Sequence, residues 1–393
     1  MRTRLAALAT PLLLLTACSD QSTSPAADAN TVAASAARGG APKFWETGAT
    51  VAWNELADRL IARRLPNALR VDTYLALAQL RAAQAAEAGN QPHPPVSAAI
   101  GGASVAVLSA FFPLDVAELE AALDAQEAAD PWPGNKHENF AAGEAIGRAI
   151  GARVNNFAKS DGVGLTNPGL PPTGLGFWIP NGPPVRGFLG ARPFYLSSTS
   201  EFRPPPPPAF GSPKYLADLA EVRKISDTRT PEQVAIAVFW HVNQSGTSNA
   251  AWNAIVRDLI VKYRKNDAEA ARIMFLEYSA TWDALIGSYD GKYLYWMIRP
   301  SQADPGITLP ISLPNHPSYP SNHATIDGAL AAVLEAEFPA ETKRLEQIAE
   351  EAAISRLYGG IHYRFDKDAG MALGRATAAV AMAADLTSVP VVP

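Results

Sequence analysis

The feature that most constrains this chain is a helical period that persists, with one interruption, from about residue 44 to residue 386. Apolar residues recur at three- and four-residue spacing, as in Val71, Tyr74, Leu75, Ala78 and Ala82, which places them on one face of a helix. The pattern predicts helices over 51–64, 68–88, 96–112, 115–128 and 138–158. It resumes at Thr230-Pro231-Glu232-Gln233, where an N-cap, a proline at the first helical position and a capping-box Gln open a helix to about Asn243. Further helices are predicted over 249–264, 267–287, 323–338, 340–358 and 367–386. Few runs alternate with period two, which argues against an extensive sheet, so the fold class is all-α. Gly143, Gly147 and Gly151 stand at four-residue spacing, a pattern that lets helices approach closely. At 393 residues, 48% of them hydrophobic, the chain can bury one large core or two smaller ones. No internal repeat stands out.

Charge and cysteine usage narrow the function classes. Lys+Arg number 33 against Asp+Glu 38, a net −5 that argues against a nucleic-acid surface and against a polybasic membrane patch. A single Cys excludes a disulfide framework and a Cys-based zinc site. Beyond the N-terminus no apolar run reaches the ~18 residues needed to span a bilayer. The stretch 96–112 comes closest, but Ser97, Gly101, Gly102, Ser104 and Ser109 dilute it into a buried core helix. The one Cys follows a basic start, Met1-Arg2-Thr3-Arg4, an apolar run from Leu5 to Leu15, and Leu15-Thr16-Ala17-Cys18. This resembles a bacterial lipoprotein signal, which implies a signal peptide over 1–17 and lipidation of Cys18. The alternative is an ordinary export signal with an incidental Cys. Residues 18–42 carry no aromatic and no periodicity and read as a flexible tether to an all-α domain over 43–393, with its motif core at 285–386. The expectation is an exported protein anchored on the periplasmic side of the cell envelope, with Ser19 pointing to the outer membrane.

One segment breaks the helical period. Thirteen prolines lie between Asp161 and Pro213, with Phe177, Trp178, Phe188, Phe194, Tyr195 and Phe202 interleaved. A loop of this length is far beyond ordinary connections, and its aromatics argue against disorder. It reads either as a stiff covering on the helices or as a wall of an active-site entrance.

The chemistry concentrates in the C-terminal third. Lys292 and Arg299 are seven apart, which on one helix would put two cations on one face with a need for an anion between them. Ser321, Asn322 and His323 precede a helical pattern that starts at Ala324, and a hydroxyl with backbone N–H groups at a helix N-terminus favours a tetrahedral oxoanion. Arg356 and His362 are six apart and share a face only loosely. His362 and Asp366 are four apart, so the carboxylate can orient the imidazole. Any one of the cations alone reads as a surface ion-pair partner; together with the histidines they fit phosphate or a phosphate-like anion. His137 and His241 read as structural, and His93 as a loop residue.

The arrangement Lys292-x6-Arg299-Pro300, then Pro320-Ser321-Asn322-His323, then Ser355-Arg356-x5-His362-x3-Asp366 resembles the signature shared by type 2 phosphatidic acid phosphatases and vanadium-dependent haloperoxidases. The wording from Gly360 to Asp366 is more similar to the haloperoxidase branch. The resemblance implies a bundle of long α-helices and, in that branch, vanadate bound by His362 as metal ligand, with hydrogen peroxide and a halide (bromide or iodide) as partners. In the phosphatase branch it implies a phosphate ester, no cofactor and His362 as nucleophile. It further implies Lys292, Arg299 and Arg356 around the equatorial oxygens, Ser321 as hydroxyl donor, His323 as general acid/base and Asp366 holding the tautomer of His362. His316 falls where that branch places a residue that tunes halide oxidation; as part of Asn315-His316-Pro317 it also reads as a simple turn. One departure is Asn322, where the family has Gly. It favours a third reading, a non-catalytic oxoanion-binding lipoprotein.

Overall fold

The computed structural model describes residues 48–88, 93–129, 136–384 and 386. The expected signal, Cys18 and the tether lie outside them. Five helices come first: α1 (Ala49–Arg64), α2 (Ala68–Glu87), α3 (Val96–Phe111), α4 (Val116–Ala129) and α5 (Lys136–Ala158). After the Pro-rich segment follow α6 (Pro213–Thr228), α7 (Pro231–Asn243), α8 (Ala250–Lys262), α9 (Asp267–Tyr295) and the single turn α10 (Pro300–Ala303). The last three are α11 (Asn322–Glu337), α12 (Thr342–Tyr358) and α13 (Arg364–Ala383). No strand occurs among the described residues; Phe177–Met297 and Ser245–Ser248 form isolated bridges. Nor is any described helix long and apolar enough to cross a membrane.

The helix α9 organises the molecule. Asn266 and Glu269 close a capping box at its start. Its 29 residues reach about 43 Å at 1.5 Å per residue. Of these, 22 are buried, so it is covered on all sides rather than presenting one stripe to a core. Helices α2, α3 and α1 pack on it from one group, and α11 and α13 from the other. One continuous core runs from Trp53 through Trp282 to Leu334.

Two helix pairs approach closely because glycine allows it. The spacing at 143, 147 and 151 brings α5 against α3, where a Cβ on Gly147 would lie 1.9 Å from the Ala99 carbonyl oxygen. In the second group a Cβ on Gly374 would lie 2.1 Å from the Thr325 oxygen, and one on Gly370 2.6 Å from the Ser321 oxygen. That second pair sets the start of α11, and with it Ser321, directly against α13.

Residues 159–212 contain no helix and act both as covering and as wall. The buried Asp283 carboxylate of α9 accepts from the backbone N–H groups of Phe194 (2.8 Å), Tyr195 (2.7 Å) and Leu196 (3.1 Å). Burial pushes this carboxyl up to about 6 despite those donors. Phe188 and Phe194 pack edge-on against Trp282, while the Trp178 N–H donates to the Trp296 carbonyl. The structure extends α9 eight residues beyond the expected 287, and it adds α6, which follows directly on the prolines and is capped by Ser212 with Pro213 at its first position.

Candidate active site

Three of the sequence expectations about placement change. Lys292 and Arg299 do not share a helix, because Trp296 takes a left-handed conformation (φ 51°) and ends α9. Lys292 therefore sits in the last turn, and Arg299 in extended backbone beyond it. Arg356 lies in the last turn of α12, while His362 stands in the link to α13. The helix α11 starts at Asn322 rather than Ala324, so Ser321 is its N-cap, accepting from the Ala324 N–H, and His323 lies in its first turn. Asn322 carries no positive φ, so a side chain at this position costs no backbone strain.

The hydrogen bonds of His362 fix its protonation pattern. Arg299 Nη1 lies 3.0 Å from His362 Nε2, and a guanidinium can only donate, so Nε2 must carry the lone pair. The proton is then on Nδ1, which donates to Asp366 Oδ2 at 2.8 Å. The same carboxylate oxygen accepts from Ser318 Oγ (2.5 Å) and the Tyr363 N–H (3.1 Å), which locks its orientation. Burial pushes Asp366 up to about 6, opposed by Ser318 and by the Lys292 charge. Burial and the neighbouring cations hold His362, His316 and His323 well below the ordinary imidazole value, so all three are neutral at neutral pH.

Each cation has a distinct setting. Lys292 Nζ donates to the carbonyls of Pro317 (3.0 Å), Ser318 (2.9 Å) and Pro320, which uses all three of its N–H groups to shape the turn leading into Ser321. Burial and the Arg299 charge push Lys292 well below the ordinary lysine value. Arg299 also donates to the His316 and Ile361 carbonyls and meets His316 Nδ1 at 3.0 Å. Arg356 donates to Ser355 Oγ and the Ala237 carbonyl, but its Nη1 is buried and has no partner. Burial lowers Arg299 to about 10 and Arg356 to about 9, so both remain cationic at neutral pH.

The charge balance of this pocket is incomplete as it stands. The nearby buried Asp327 is pushed up to about 8 by burial and is therefore neutral at pH 7, which leaves Arg356 uncompensated. A buried charge without a partner costs several kcal/mol, so the site favours an anion. His323 Nε2 is likewise buried without a partner. An unpartnered buried guanidinium Nη1, an unpartnered imidazole nitrogen and the N-terminus of α11 suit a tetrahedral oxoanion, while the His362 lone pair is engaged by Arg299 Nη1. Vanadate and phosphate fit it equally.

Part of this set borders a cavity of about 360 Å³, whereas Lys292, Arg299, Ser321, Arg356 and Asp366 lie behind its lining residues. His316, Asn322, His323 and His362 line it, and so does His241, which the sequence placed among structural histidines. His241 Nε2 lies 3.0 Å from Ser312 Oγ. Tyr289 of α9, edge-on to His316, also lines the cavity, as do Val185, Gly187 and Phe188 of the Pro-rich segment. Ser288 Oγ donates to Asn322 Oδ1 at 2.7 Å and holds that amide. Tyr289 and His241 belong to no motif and sit on ordinary helical patterns, so no sequence signal marks them. His93 lies exposed and apart from the cavity.

Comparison with known proteins agrees with this fold. A family model described as the VCPO second helical-bundle domain matches residues 336–388. A vanadium chloroperoxidase from Curvularia inaequalis is 28% identical over 207 residues, 38% of this chain. The match spans 33%, about a third, of that relative's length. Among solved structures, a bacterial vanadium-dependent iodoperoxidase superposes with a TM-score of 0.70 at 24% identity, over 84% of this chain and 95% of the other. An apo-type bacterial vanadium-dependent chloroperoxidase gives 0.66 at 16% identity, over 81% and 93%.

Proposed function

We propose that this chain, which belongs to the superfamily joining vanadium-dependent haloperoxidases to type 2 phosphatidic acid phosphatases, is a haloperoxidase that oxidises bromide or iodide with hydrogen peroxide at a vanadate held by His362. The observation that carries this reading is the proton-free Nε2 of His362, held in that tautomer by Asp366 on Nδ1 and met here by Arg299 Nη1. When bound there, vanadate supplies a Lewis-acidic centre that activates peroxide. Arg356, with its unpartnered Nη1, and Arg299, which now contacts Nε2, would hold the oxoanion and offset its charge. Lys292 holds the 317–320 turn and adds positive charge, and the Ser321 hydroxyl, which accepts from the Ala324 N–H, keeps its own proton to donate. His323, neutral with a free Nε2, is the group that accepts and returns the peroxide proton. His316 and Tyr289 border the cavity where halide would be oxidised.

The same donors would serve a phosphatase in which His362 Nε2 attacks phosphorus and His323 protonates the leaving alcohol. The proton-free Nε2 of His362, which would have to leave its Arg299 contact, supports this second reading. The polar cradle around Asn322 also suits an oxoanion-binding protein without turnover. We further propose export and lipidation at Cys18, supported by the N-terminal pattern of basic start, apolar run and Ala17-Cys18; mass spectrometry of the mature N-terminus tests this separately.

The deciding experiment strips the purified protein of metal and titrates it with orthovanadate. Bromide and peroxide are supplied with a dye that shifts colour on bromination, and ester hydrolysis is followed in parallel. Bromination that needs vanadate and is lost in His362→Ala is expected. Hydrolysis inhibited by vanadate, without bromination, would replace the haloperoxidase by the phosphatase. Vanadate binding with neither activity would leave only a binding site.

A further inference from the structure

The Pro-rich segment contains a short repeat that its composition masks: Gly164-Leu165, Gly169-Leu170 and Gly174-Leu175 recur every five residues. Each glycine has positive φ (73°, 87° and 126°), and each following leucine projects into solvent, exposed by 72%, 91% and 85%. A Cβ at Gly164 or Gly169 would meet nothing within 4 Å, so these glycines serve the turn and not a close packing contact. The turns are built structures. The Gly164 N–H donates to the Gly187 carbonyl at 2.9 Å, Leu165 N–H to the Gly162 carbonyl at 3.2 Å, and Gly169 N–H to Asn167 Oδ1 at 3.1 Å.

Three ordered turns thus present three leucines to water, and single exposed leucines would be unremarkable only if scattered. From Gly162 to Val185 the segment contains no charged residue. The exposed charges that flank it are Lys159 and Arg186, both basic, while Asp161 is buried and paired with Arg70. Apolar tips flanked in sequence by two cations, of which Arg186 donates to the Leu165 carbonyl, match an anionic lipid surface, where the tips enter the acyl boundary and the cations meet headgroups. Prolines and glycines separate the tips, so they form isolated prongs rather than the contiguous apolar face that a protein partner would cover.

We infer that the three Gly-Leu turns of the Pro-rich segment are a membrane-contact surface that seats the body on an anionic bilayer. The chain outside the described residues is long enough to allow this. Thr50 is bonded to Asp267 at one end of α9, whereas Ile298 N–H donates to the Gly176 carbonyl beyond the other end. The 30 residues from Cys18 to Gly48 reach up to about 100 Å when extended, more than twice that helix. Val185, Gly187 and Phe188, in the same segment, line the cavity, so seating the turns brings its wall to the bilayer surface.

The test uses the full chain with Cys18→Ser and one introduced cysteine, Thr173→Cys, carrying an environment-sensitive fluorophore; a control carries it at Asp124→Cys on α4. Vesicles of phosphatidylethanolamine and phosphatidylglycerol should shift the emission at 173 to the blue and leave 124 unchanged. Combining Leu165→Ser, Leu170→Ser and Leu175→Ser should weaken vesicle binding at 173 by at least about tenfold, since each buried leucine contributes to partitioning. Thermal unfolding of that variant should match the parent, because the replaced side chains are exposed. Equal shifts at 173 and 124, or an unchanged shift in the triple variant, would overturn the inference. So would a vesicle-insensitive probe at 173; if a dimer that the triple variant converts to monomer accompanied it, the prongs would be assigned to a second copy. None of these readouts depends on turnover or on lipid at Cys18, so this surface and the function proposed above can fail separately.

Discussion

Replacing Asp327 by Asn should flatten the dependence of stability on pH without harming the fold. Asp327 is completely buried, and its Oδ1 accepts from Gln244 Nε2 (2.7 Å) and Trp252 Nε1 (3.0 Å), while Oδ2 has no partner. Burial raises the group to about 8 in the folded protein, against about 3.9 when unfolded. Between these values the folded state holds a proton that the unfolded state releases. Stability contributed by this group is therefore fully present below about pH 4 and declines as pH rises toward 8. At 1.36 kcal/mol per pH unit, the interval of about three between the unfolded value and pH 7 amounts to about 4 kcal/mol. An Asn in the same pose keeps its oxygen on Gln244 and Trp252 and puts its NH₂ where the protonated acid already has an unpartnered O–H, so its local cost is small. Denaturant unfolding of parent and Asp327→Asn, run from pH 4.5 to 8, should give curves that nearly meet at the acid end and diverge by roughly 4 kcal/mol at neutral pH. Parallel curves would refute the neutral Asp327, and with it the uncompensated Arg356 from which an anion was argued.

Three further outcomes follow from the geometry. Arg356→Gln removes a buried guanidinium Nη1 that has no partner and should weaken orthovanadate or phosphate binding by at least about thirtyfold, read by titration calorimetry. Asp283→Ala strips the acceptor from three backbone N–H groups of the Pro-rich segment; at about 1 kcal/mol or more for each buried donor, stability should fall by about 3 kcal/mol. Limited proteolysis should then cut within 161–212 well before the helices. Gly147→Ala places a methyl 1.9 Å from the Ala99 oxygen, forces α3 and α5 apart and should cost about 2 kcal/mol, seen as a lower midpoint in chemical unfolding.

Much of the helical frame was legible because burial on one face imposes a period of 3.6, and the caps at Thr230 and the glycines at 143, 147 and 151 carried the local signals that the structure uses. What escaped was governed by non-local contact. The end of α9 escapes the period because five of residues 288–295 are buried and only Leu294 is exposed, so no single apolar stripe marks it. The helix α6 was hidden by the prolines that precede it. Lys292 and Arg299 were placed on one helix face by an ideal rotation, which the left-handed Trp296 interrupts, although both still converge on the 316–320 turn. His241, Tyr289 and Asp327 gave no sign because a histidine, tyrosine or acid on a helix becomes part of a site only when distant helices meet.

The sharing of α9 between the two helix groups makes the chain indivisible. A fragment ending before residue 267 would leave α1, α2 and α3 with an open apolar trough where the central rod belongs. One beginning there would carry that rod with half its circumference stripped. Lys292 and the cavity-lining Tyr289 ride on the last two turns of the same rod, so an event that loosens the N-terminal helices would also disturb the cavity about 33–38 Å along the axis from its start. The molecule is thus built to melt as one unit, and the pocket should persist for as long as the scaffold behind it does.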